Sequence, residues 1–574
     1  MKKSFSFLLT VMVCGLFLFN HVPLGAAQDG LIVVISSDTT WTKAGSPYNI
    51  TGPFLISEGA TLTIEAGVTV DFNYHTLRVN GNLRALGTSA EKILFVDCMN
   101  IEFTEASVGW DEQTGSGNIL QYTNKNSTSV SISIDSSVPL KLDHVIFSTI
   151  EVANSSILSN SKLGIVTAGS SCVISNNTLG AVTVGSSSVV FGNNISRDVT
   201  ALQAVVSYNY IGGKVDADNS TISNNQIRYG ITGSSLIITN NNVTVPYSSG
   251  QLPRDAAVYV GSGTSIISNN HVVGSLIVED SDVSTNNVEG YISAGGSTVA
   301  YNNTVSGTFL AGGSAVVSNN TILDGVRIGD SDWVKVLNNT IYGGVDISPF
   351  GRANASIVNN TIVGGEFGVY IIPTSNVGLV ISRASEAYIS GNLIYDCTAA
   401  GIQVGGVGET QGGSTVLYNY AVIDGNTVIN CNYGIEVTGR ENVTNNIVAH
   451  NEYGIKGGKL VEGNTIVDNY YGLHGGSEIR NNAIINNTIG VRSGFEILVY
   501  NNIYGNSEYN VEFLSIVNAN ASYNWWGTTD TQAINQTIYD FKNDFTLGKV
   551  NFVPFLTEPN SGAIPASIPV VPEY

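Results

Sequence analysis

An internal repeat of asparagine and glycine constrains this chain more than any other feature. Between Gly463 and Gly494 the sequence "GNTIVDNYYGLHGGSEIRNNAIINNTIGVRSG" gives nearly the same pattern twice. Each copy has an asparagine, a short apolar run, a second asparagine and then a glycine followed by an apolar residue. One small structural unit therefore recurs along the chain, and units of this kind stack into a solenoid.

The asparagines of the C-terminal half fall into two series. The first series is Asn392, Asn426, Asn446, Asn464, Asn482 and Asn502, and the second is Cys397, Cys431, Asn451, Asn469, Asn487 and Asn506. In the N-terminal half the corresponding positions are Asn177, Asn194, Asn270, Asn287, Asn303 and Asn320. The apolar runs between them are too short for helices, so they predict strands of a few residues that end in turns.

A stacked arrangement explains why asparagine and glycine recur at fixed positions. Parallel strands of successive coils lie about 4.8 Å apart, so equivalent side chains form columns along the solenoid. Asparagine suits such columns because its amide bonds to the amides above and below, and it tolerates a left-handed backbone. Since parallel crossovers are right-handed, we expect an all-β, single-stranded right-handed parallel β-helix of roughly twenty-five coils, on the order of 120 Å long.

The ends of the chain differ from the repeat. We expect a signal peptide at 1–27, an N-terminal cap with the first coils at 28–150, short coils at 151–342, expanded coils at 343–425, regular coils at 426–524, a C-terminal cap at 525–556 and a Pro-rich extended tail at 557–574. The C-terminal cap combines Trp525 and Trp526 with a short helix that Thr529 or Asp530 begins.

The first residues have the pattern of a targeting segment. Lys2 and Lys3 precede an apolar run from about Phe5 to Phe19, and the small residues Gly25-Ala26-Ala27 follow. This pattern predicts a secretory signal peptide that is cleaved near Ala27, with a membrane anchor as the alternative. The expected localisation is therefore secreted, at the extracellular cell surface.

Charge limits the expected partners. The formal net charge is -21, and only 12% of residues are charged. A surface of this sign repels nucleic acid, so a nucleic-acid partner is not expected. Polysaccharide or cell-surface components are the partners compatible with an exported acidic chain.

Two stretches carry a resemblance to known proteins. The run "LIVVISSDTTWTKAGSPYNITGPFLISEGATLTIEAGVTVDF" and the repeated Asn-x-Ile coils resemble secreted parallel β-helix repeat proteins of archaea and bacteria. That superfamily includes carbohydrate-binding and sugar-hydrolase β-helices and NosD-like repeats, so the resemblance implies a fold more than a function. The terminal "VVPEY" is similar to the lead-in to a C-terminal membrane anchor, which implies attachment through a segment not present in this chain.

The expanded coils at 343–425 are the predicted site. Their coil length rises to about thirty-two to thirty-four residues, and long loops on a rigid scaffold commonly carry function. The candidate catalytic residues are Glu366, Asp396 and Arg383, and the candidate ligand-binding residues are Phe367, Tyr370, Tyr418 and Tyr420. Aromatic rings with carboxylates suit a sugar-binding groove, whereas ordinary loops with exposed tyrosines are the alternative.

Cysteines and metal ligands give weaker signals. Cys397 and Cys431 occupy the second series one coil apart, near enough for a disulfide, or else they are two buried thiols. We expect no cofactor and no metal site; calcium would suit the Asp-x-Asp pairs, but these lie several coils apart. The favoured function is a non-enzymatic, exported surface protein that is carbohydrate-binding, adhesive or structural. The alternative is a polysaccharide lyase or glycoside hydrolase that acts from the 343–425 loops.

Overall fold

Three parallel β-sheets run the length of the molecule and close around one apolar core. A computed structural model describes residues 32–125, 133–245, 256–261, 263–347, 353–371, 385–405, 408–409, 416–417 and 419–571. The chain passes through the first, second and third sheet in turn, and each strand pairs in parallel with its counterpart in the next coil. The solenoid has about 23 turns, close to the predicted number.

The strands are short throughout. The first sheet begins at Thr39–Trp41, the second at Tyr48–Asn49 and the third at Val33–Ile35. From the expanded coils onward, the first sheet contains Ala353–Val358, Glu386–Ser390, Tyr420–Asp424, Asn442–Thr444, Leu460–Glu462, Glu478–Arg480, Ile497–Val499, Ala519–Asn520 and Val550–Asn551. The second contains Thr340–Tyr342, Thr361–Val363, Leu393–Tyr395, Thr427–Ile429, Ile447–Ala449, Thr465–Val467, Ala483–Ile485 and Asn502–Tyr504. The third contains Val345–Ile347, Phe367–Ile371, Ala400–Val404, Tyr433–Glu436, Tyr453–Lys456, Tyr471–His474, Ile489–Arg492, Tyr509–Glu512 and Ile538–Tyr539, and Val326–Leu337 spans the third and first sheets.

A buried asparagine ladder joins the first and second sheets. Asn464 is typical: its Nδ2 donates to Oδ1 of Asn482 at 2.9 Å, and its Oδ1 accepts from the backbone N–H of Asn446 at 2.9 Å. The ladder members are Asn177, Asn193, Asn209, Asn225, Asn241, Asn270, Asn286, Asn303, Asn320, Asn339, Asn360, Asn392, Asn426, Asn446, Asn464, Asn482, Asn501 and Asn524. The ladder satisfies turn amides that are otherwise cut off from water.

Three predicted ladder members are wrong by one position. Asn194, Asn287 and Asn502 were expected in the ladder, but their preceding neighbours Asn193, Asn286 and Asn501 occupy it. The reason is the backbone: the residue before each ladder asparagine takes the left-handed conformation. Here that residue is Gly192, Thr285 or Tyr500, with φ of 67°, 54° and 57°.

The second series holds as predicted from Cys431 onward. The backbone N–H of Cys431 donates to Oδ1 of Asn451 at 2.8 Å, and Asn451, Asn469 and Asn487 continue the column. Asn506 ends it, accepting from the N–H of Asn487 at 2.9 Å. The two ladders fix both ends of the second-sheet strands in this half of the molecule.

The C-terminal end is closed by the predicted helix and tryptophan. The helix Thr531–Gln536 begins after Asp530, whose side chain accepts from the N–H groups of Gln532 and Ala533. Trp526 and Ile534 are buried against the last coil. No described helix is both long and apolar enough to cross a bilayer.

Candidate functional site

Two long coils lie between Asn360 and Asn426. Successive ladder asparagines are 32 residues apart from Asn360 to Asn392 and 34 from Asn392 to Asn426. The antiparallel pair Gly408–Glu409 and Val416–Leu417 lies outside the three sheets. Arg383 and Tyr418, two of the predicted site residues, lie outside the described residues.

Three predicted residues come together on the third sheet. Tyr370 pairs with Asp346 of the preceding coil, and the ring of Phe367 stacks on that of Tyr370 with centroids 4.3 Å apart. Glu366 directly precedes Phe367 and is exposed. Burial raises the pKa of Asp346, and the negative charge of Glu366 adds to that effect. We call Asp346, Glu366, Phe367 and Tyr370 the acidic–aromatic cluster.

The charge of Arg327 and the phenol of Tyr370 also affect protonation in this cluster. Arg327 lies one coil earlier, with Nε 4.0 Å from Oδ2 of Asp346, and its charge opposes the rise in the pKa of Asp346. Burial raises the pKa of Tyr370, and the charges of Asp346 and Glu366 raise it further. The phenol therefore stays protonated and can donate a hydrogen bond.

Two other predicted residues lie in different columns. Asp396 occupies a left-handed turn with φ 61° after the second sheet, where it accepts from Nδ2 of Asn430 at 3.2 Å. Tyr420 lies on the first sheet, paired with Glu386. Neither belongs to the acidic–aromatic cluster, because the turn and the first sheet point to other sides of the coil.

Cys397 and Cys431 occupy equivalent positions in adjacent coils. Their strands pair Tyr395 with Ile429, so the two cysteines follow in the same column. Both are buried free thiols in this structure, and hydrogen bonding with Cys431 and burial raise the pKa of Cys397. The disulfide stays a prediction, which the mass change on alkylation with and without reductant would check.

A groove along the C-terminal coils was not predicted. It has a volume of about 640 Å³ and follows the turns between the third and first sheets. Its lining residues are Gly439, Gly457, Gly458, Gly476, Ser477, Gly494, Phe495, Glu496, Ser515, Val517 and Asn518. We call this the glycine groove. Five of the eleven lining residues are glycines, which have no side chain to fill the groove.

Backbone conformation explains the glycines. Gly457 and Gly476 have φ of 87° and 116°, a region that other residues rarely adopt. A Cβ on Gly457 would lie 2.3 Å from the carbonyl oxygen of Val437. A Cβ on Gly439 would meet no atom within 4 Å and would instead project into open space. The sequence feature that could have indicated the groove is the Gly-Gly pair at 457–458 and again at 475–476. Such a pair is equally typical of an ordinary turn.

The strands before the groove carry a column of charged residues. Strand pairing places Glu436, Lys456, His474, Arg492 and Glu512 in one outward row of the third sheet. Nζ of Lys456 lies 2.7 Å from Glu436, and Nε of Arg492 lies 2.8 Å from Glu512. The hydrogen bond to Glu436 raises the pKa of Lys456, whereas burial lowers the pKa of His474. The row is therefore internally neutralised, with His474 uncharged at neutral pH.

A tyrosine column lies beside this charged row. Tyr433, Tyr453 and Tyr471 stack with ring centroids 4.7 and 4.9 Å apart. Lys456 lies 4.8 Å from the ring centroid of Tyr433, and Arg492 lies 4.5 Å from that of Tyr471. Cation–π contacts of this kind hold both rows in place.

The side chains that commonly bind metals are scattered over the described part of the chain. Across those ranges, no three His, Cys, Asp or Glu residues are grouped closely enough to hold an ion. The acidic–aromatic cluster and the glycine groove are two separate candidate sites.

Comparisons with known proteins bear on the scaffold. Residues 306–466 match the family model described as "Right handed beta helix region". The solved PL6 family alginate lyase AlyGC is 9% identical over 93% of this chain and 98% of that chain, with a TM-score of 0.22. An arginine-to-alanine mutant of AlyGC is also 9% identical, over 92% and 98%, with a TM-score of 0.17. No curated protein matches. The family match covers the expanded coils and the start of the glycine groove.

Proposed function

The chain is a right-handed parallel β-helix, and on that scaffold we propose an exported, non-enzymatic surface protein that binds carbohydrate chains in the glycine groove. The single observation that carries this proposal is the continuous groove from Gly439 to Asn518. An elongated ligand lying along the solenoid axis would contact one turn of each coil that it passes.

The shape of the groove favours a polymer over a small molecule. The lining comes from turns of successive coils, and each coil adds about 4.8 Å of length. Small-molecule sites usually enclose their ligand in a concave pocket. A groove lined by the turns of successive coils instead extends along the solenoid, which suits a chain of repeated sugar units.

The charge pattern favours a neutral glycan. Lys456 and Arg492 are each paired with a glutamate, so neither cation is free to bind an anionic sugar. Glu496 also lines the groove, and the chain carries a formal charge of -21. A polyanion would be repelled by this surface, whereas a neutral polysaccharide would meet polar groups such as Ser477 and Asn518 and the apolar side chains of Phe495 and Val517.

The test blocks the groove without changing the fold. Ser477 lines the groove, and Ser477→Trp fills it with a large side chain. We expect at least a tenfold loss of retention on neutral polysaccharides in affinity electrophoresis. The matched control is Ser170→Trp, at a turn between the same two sheets in the N-terminal coils. Equal retention of both variants, or no retention of the natural protein on any polymer, would contradict the proposal.

The acidic–aromatic cluster supports a second candidate function. Asp346 and Glu366 are two interacting carboxylates beside a phenol that stays protonated. A carboxyl with a raised pKa can act as a general acid, and paired carboxylates are what glycoside hydrolysis requires. A lyase would instead use a base beside the sugar, a role for which the predicted Arg383 is the candidate.

Product analysis separates the two functions. The natural protein is incubated with neutral and acidic polysaccharides, and new reducing ends and unsaturated products are measured. Products that vanish in Asp346→Asn and Glu366→Gln, but persist in Asp396→Asn, would establish an enzyme at the cluster. Retention without products would favour the binding protein.

A further inference from the structure

An apolar column on the outside of the second sheet has an unusual position. Strand pairing places Val363, Tyr395, Ile429, Ala449, Val467 and Ile485 in one row, between Tyr342 and Tyr504. We call this row the apolar stripe. Its six members are at most 8% exposed, although they point away from the core.

The C-terminal segment covers part of this stripe. Ile568 and Val571 pack against the apolar stripe, and the backbone N–H of Ala566 donates to Oγ1 of Thr465 at 2.9 Å. The segment enters over the last second-sheet strand, where Nδ2 of Asn502 donates to the carbonyls of Asn560 and Ala563. It then runs back along the solenoid, against the direction in which the coils advance. We call residues 559–571 the strap.

The strap makes few contacts with the solenoid. Within the strap, Ile564 and Val570 are 73% and 97% exposed, so only alternate apolar side chains contact the stripe. The strap adds no strand to any sheet: beyond the turn Ser561–Ala563, its described residues have no regular secondary structure. Proline at 565 and 569 removes two backbone donors and favours an extended chain.

The outward column of the second sheet that forms the apolar stripe is not apolar along the whole molecule. Nearer the N-terminus it holds Thr244, Val273 and Glu289 at equivalent positions. The continuous apolar run thus occurs in the half of the solenoid over which the strap lies. The outward apolar residues and the strap form a matched pair, because either one alone would expose an apolar surface to water.

We propose that the apolar stripe is a peptide-docking site whose occupant is the chain's own strap, and that the strap lifts from it while the solenoid stays folded. Two apolar contacts with the stripe, the buried Ala563 and a few hydrogen bonds hold the strap, with no sheet pairing. The solenoid beneath is held by two buried ladders and parallel sheets. The free energy needed to release the strap should therefore be much smaller than the free energy needed to unfold the solenoid.

The test uses the full chain and a labelled peptide of residues 559–571. In the variant Ile568→Asp/Val571→Asp the strap carries charges at both contact positions, so it leaves the stripe free. We expect the peptide to bind this variant at least tenfold more tightly than the natural protein, whose own strap occupies the site. The matched control, Ile564→Asp/Val570→Asp, changes two exposed positions and should bind the peptide as poorly as the natural protein.

Hydrogen exchange on the natural protein gives a second readout that needs no variant. The amide of Ala566 should exchange at least about 100-fold faster than that of Asn464, which donates to Oδ1 of Asn482 in the ladder. Exchange of both amides at one common rate would overturn the proposal. So would a folded Ile568→Asp/Val571→Asp variant that fails to bind the peptide.

Discussion

At the scale of single residues, the position of each asparagine decides what it does. In the pair Asn481–Asn482, the first residue takes the left-handed conformation with φ 55°, and the second is buried in the ladder. The first role needs a residue that tolerates this backbone conformation, and the Asn481 side chain also donates to Glu462 and accepts from Asn560. The second role needs a buried amide that both donates and accepts along the ladder. Substitutions at the two kinds of position should therefore have very different effects.

Removing one ladder amide should destabilise the protein strongly. Asn464→Ala removes the acceptor for the backbone N–H and Nδ2 of Asn446, and it removes the Nδ2 donor to Oδ1 of Asn482, all in a buried column. We expect a loss of roughly 2–4 kcal/mol in the free energy of unfolding. The control is Asn194→Ala, at an exposed asparagine, which should change it by less than about 0.5 kcal/mol. Urea unfolding followed by circular dichroism checks both, and equal midpoints would contradict the ladder's role.

At the scale of elements, the charged row of the third sheet should give the protein a histidine-dependent acid sensitivity. Burial lowers the pKa of His474, and the charges of Arg492 and Lys456 lower it further. The unfolded chain then binds a proton at His474 at higher pH than the folded protein does. Stability from the neutral imidazole is present above the ordinary histidine pKa and is lost as the pH falls through that range.

A substitution isolates this effect. We expect His474→Gln to lose less stability than the natural protein between about pH 7 and about pH 5. The exposed His450 lies in a left-handed turn with φ 59°, so His450→Asn is a suitable control and should follow the natural protein. Thermal unfolding at several pH values measures the difference. A His474→Gln curve that runs parallel to the natural one would contradict the prediction.

The elements were predictable from the sequence to different degrees. Asparagine spacing predicts the parallel coils, because hydrogen bonding in columns leaves a fixed period in the chain. The glycine groove was missed, since Gly457-Gly458 marks a turn whether or not a groove lies above it. The apolar stripe was missed because two successive apolar residues in a strand suggest that both belong to the core. In the structure Ile466 lies in the core, whereas Val467 points outward into the stripe.

The predicted site shows the same limit. Glu366, Phe367 and Tyr370 are neighbours in sequence, so their grouping needed only the local chain. Asp346 and Arg327 join them from two earlier coils. That contact depends on which residues pair between coils of unequal length. The asparagine spacing alone did not fix this pairing, because it was wrong by one residue at three ladder positions.

At the scale of the whole molecule, export remains the prediction on which the surface function depends. Secreted protein should begin at Gln28, as N-terminal sequencing or intact mass would determine. Leu8→Arg/Leu9→Arg interrupts the apolar run and should retain the protein inside the cell. The control Ser4→Thr leaves the run intact and should be exported normally. An uncleaved chain in the membrane fraction would instead support the membrane-anchor alternative.

The asparagine ladder also gives the solenoid a direction. From Asn177 to Asn501, each ladder amide donates from Nδ2 to the next coil toward the C-terminus, and its oxygen accepts from the previous coil. Their dipoles are therefore aligned, and each bond polarises the next. Interior members gain from neighbours on both sides, but the two terminal members gain from one side only. Unfolding of the coils should therefore start at the two ends of the asparagine ladder and proceed inward, one coil at a time.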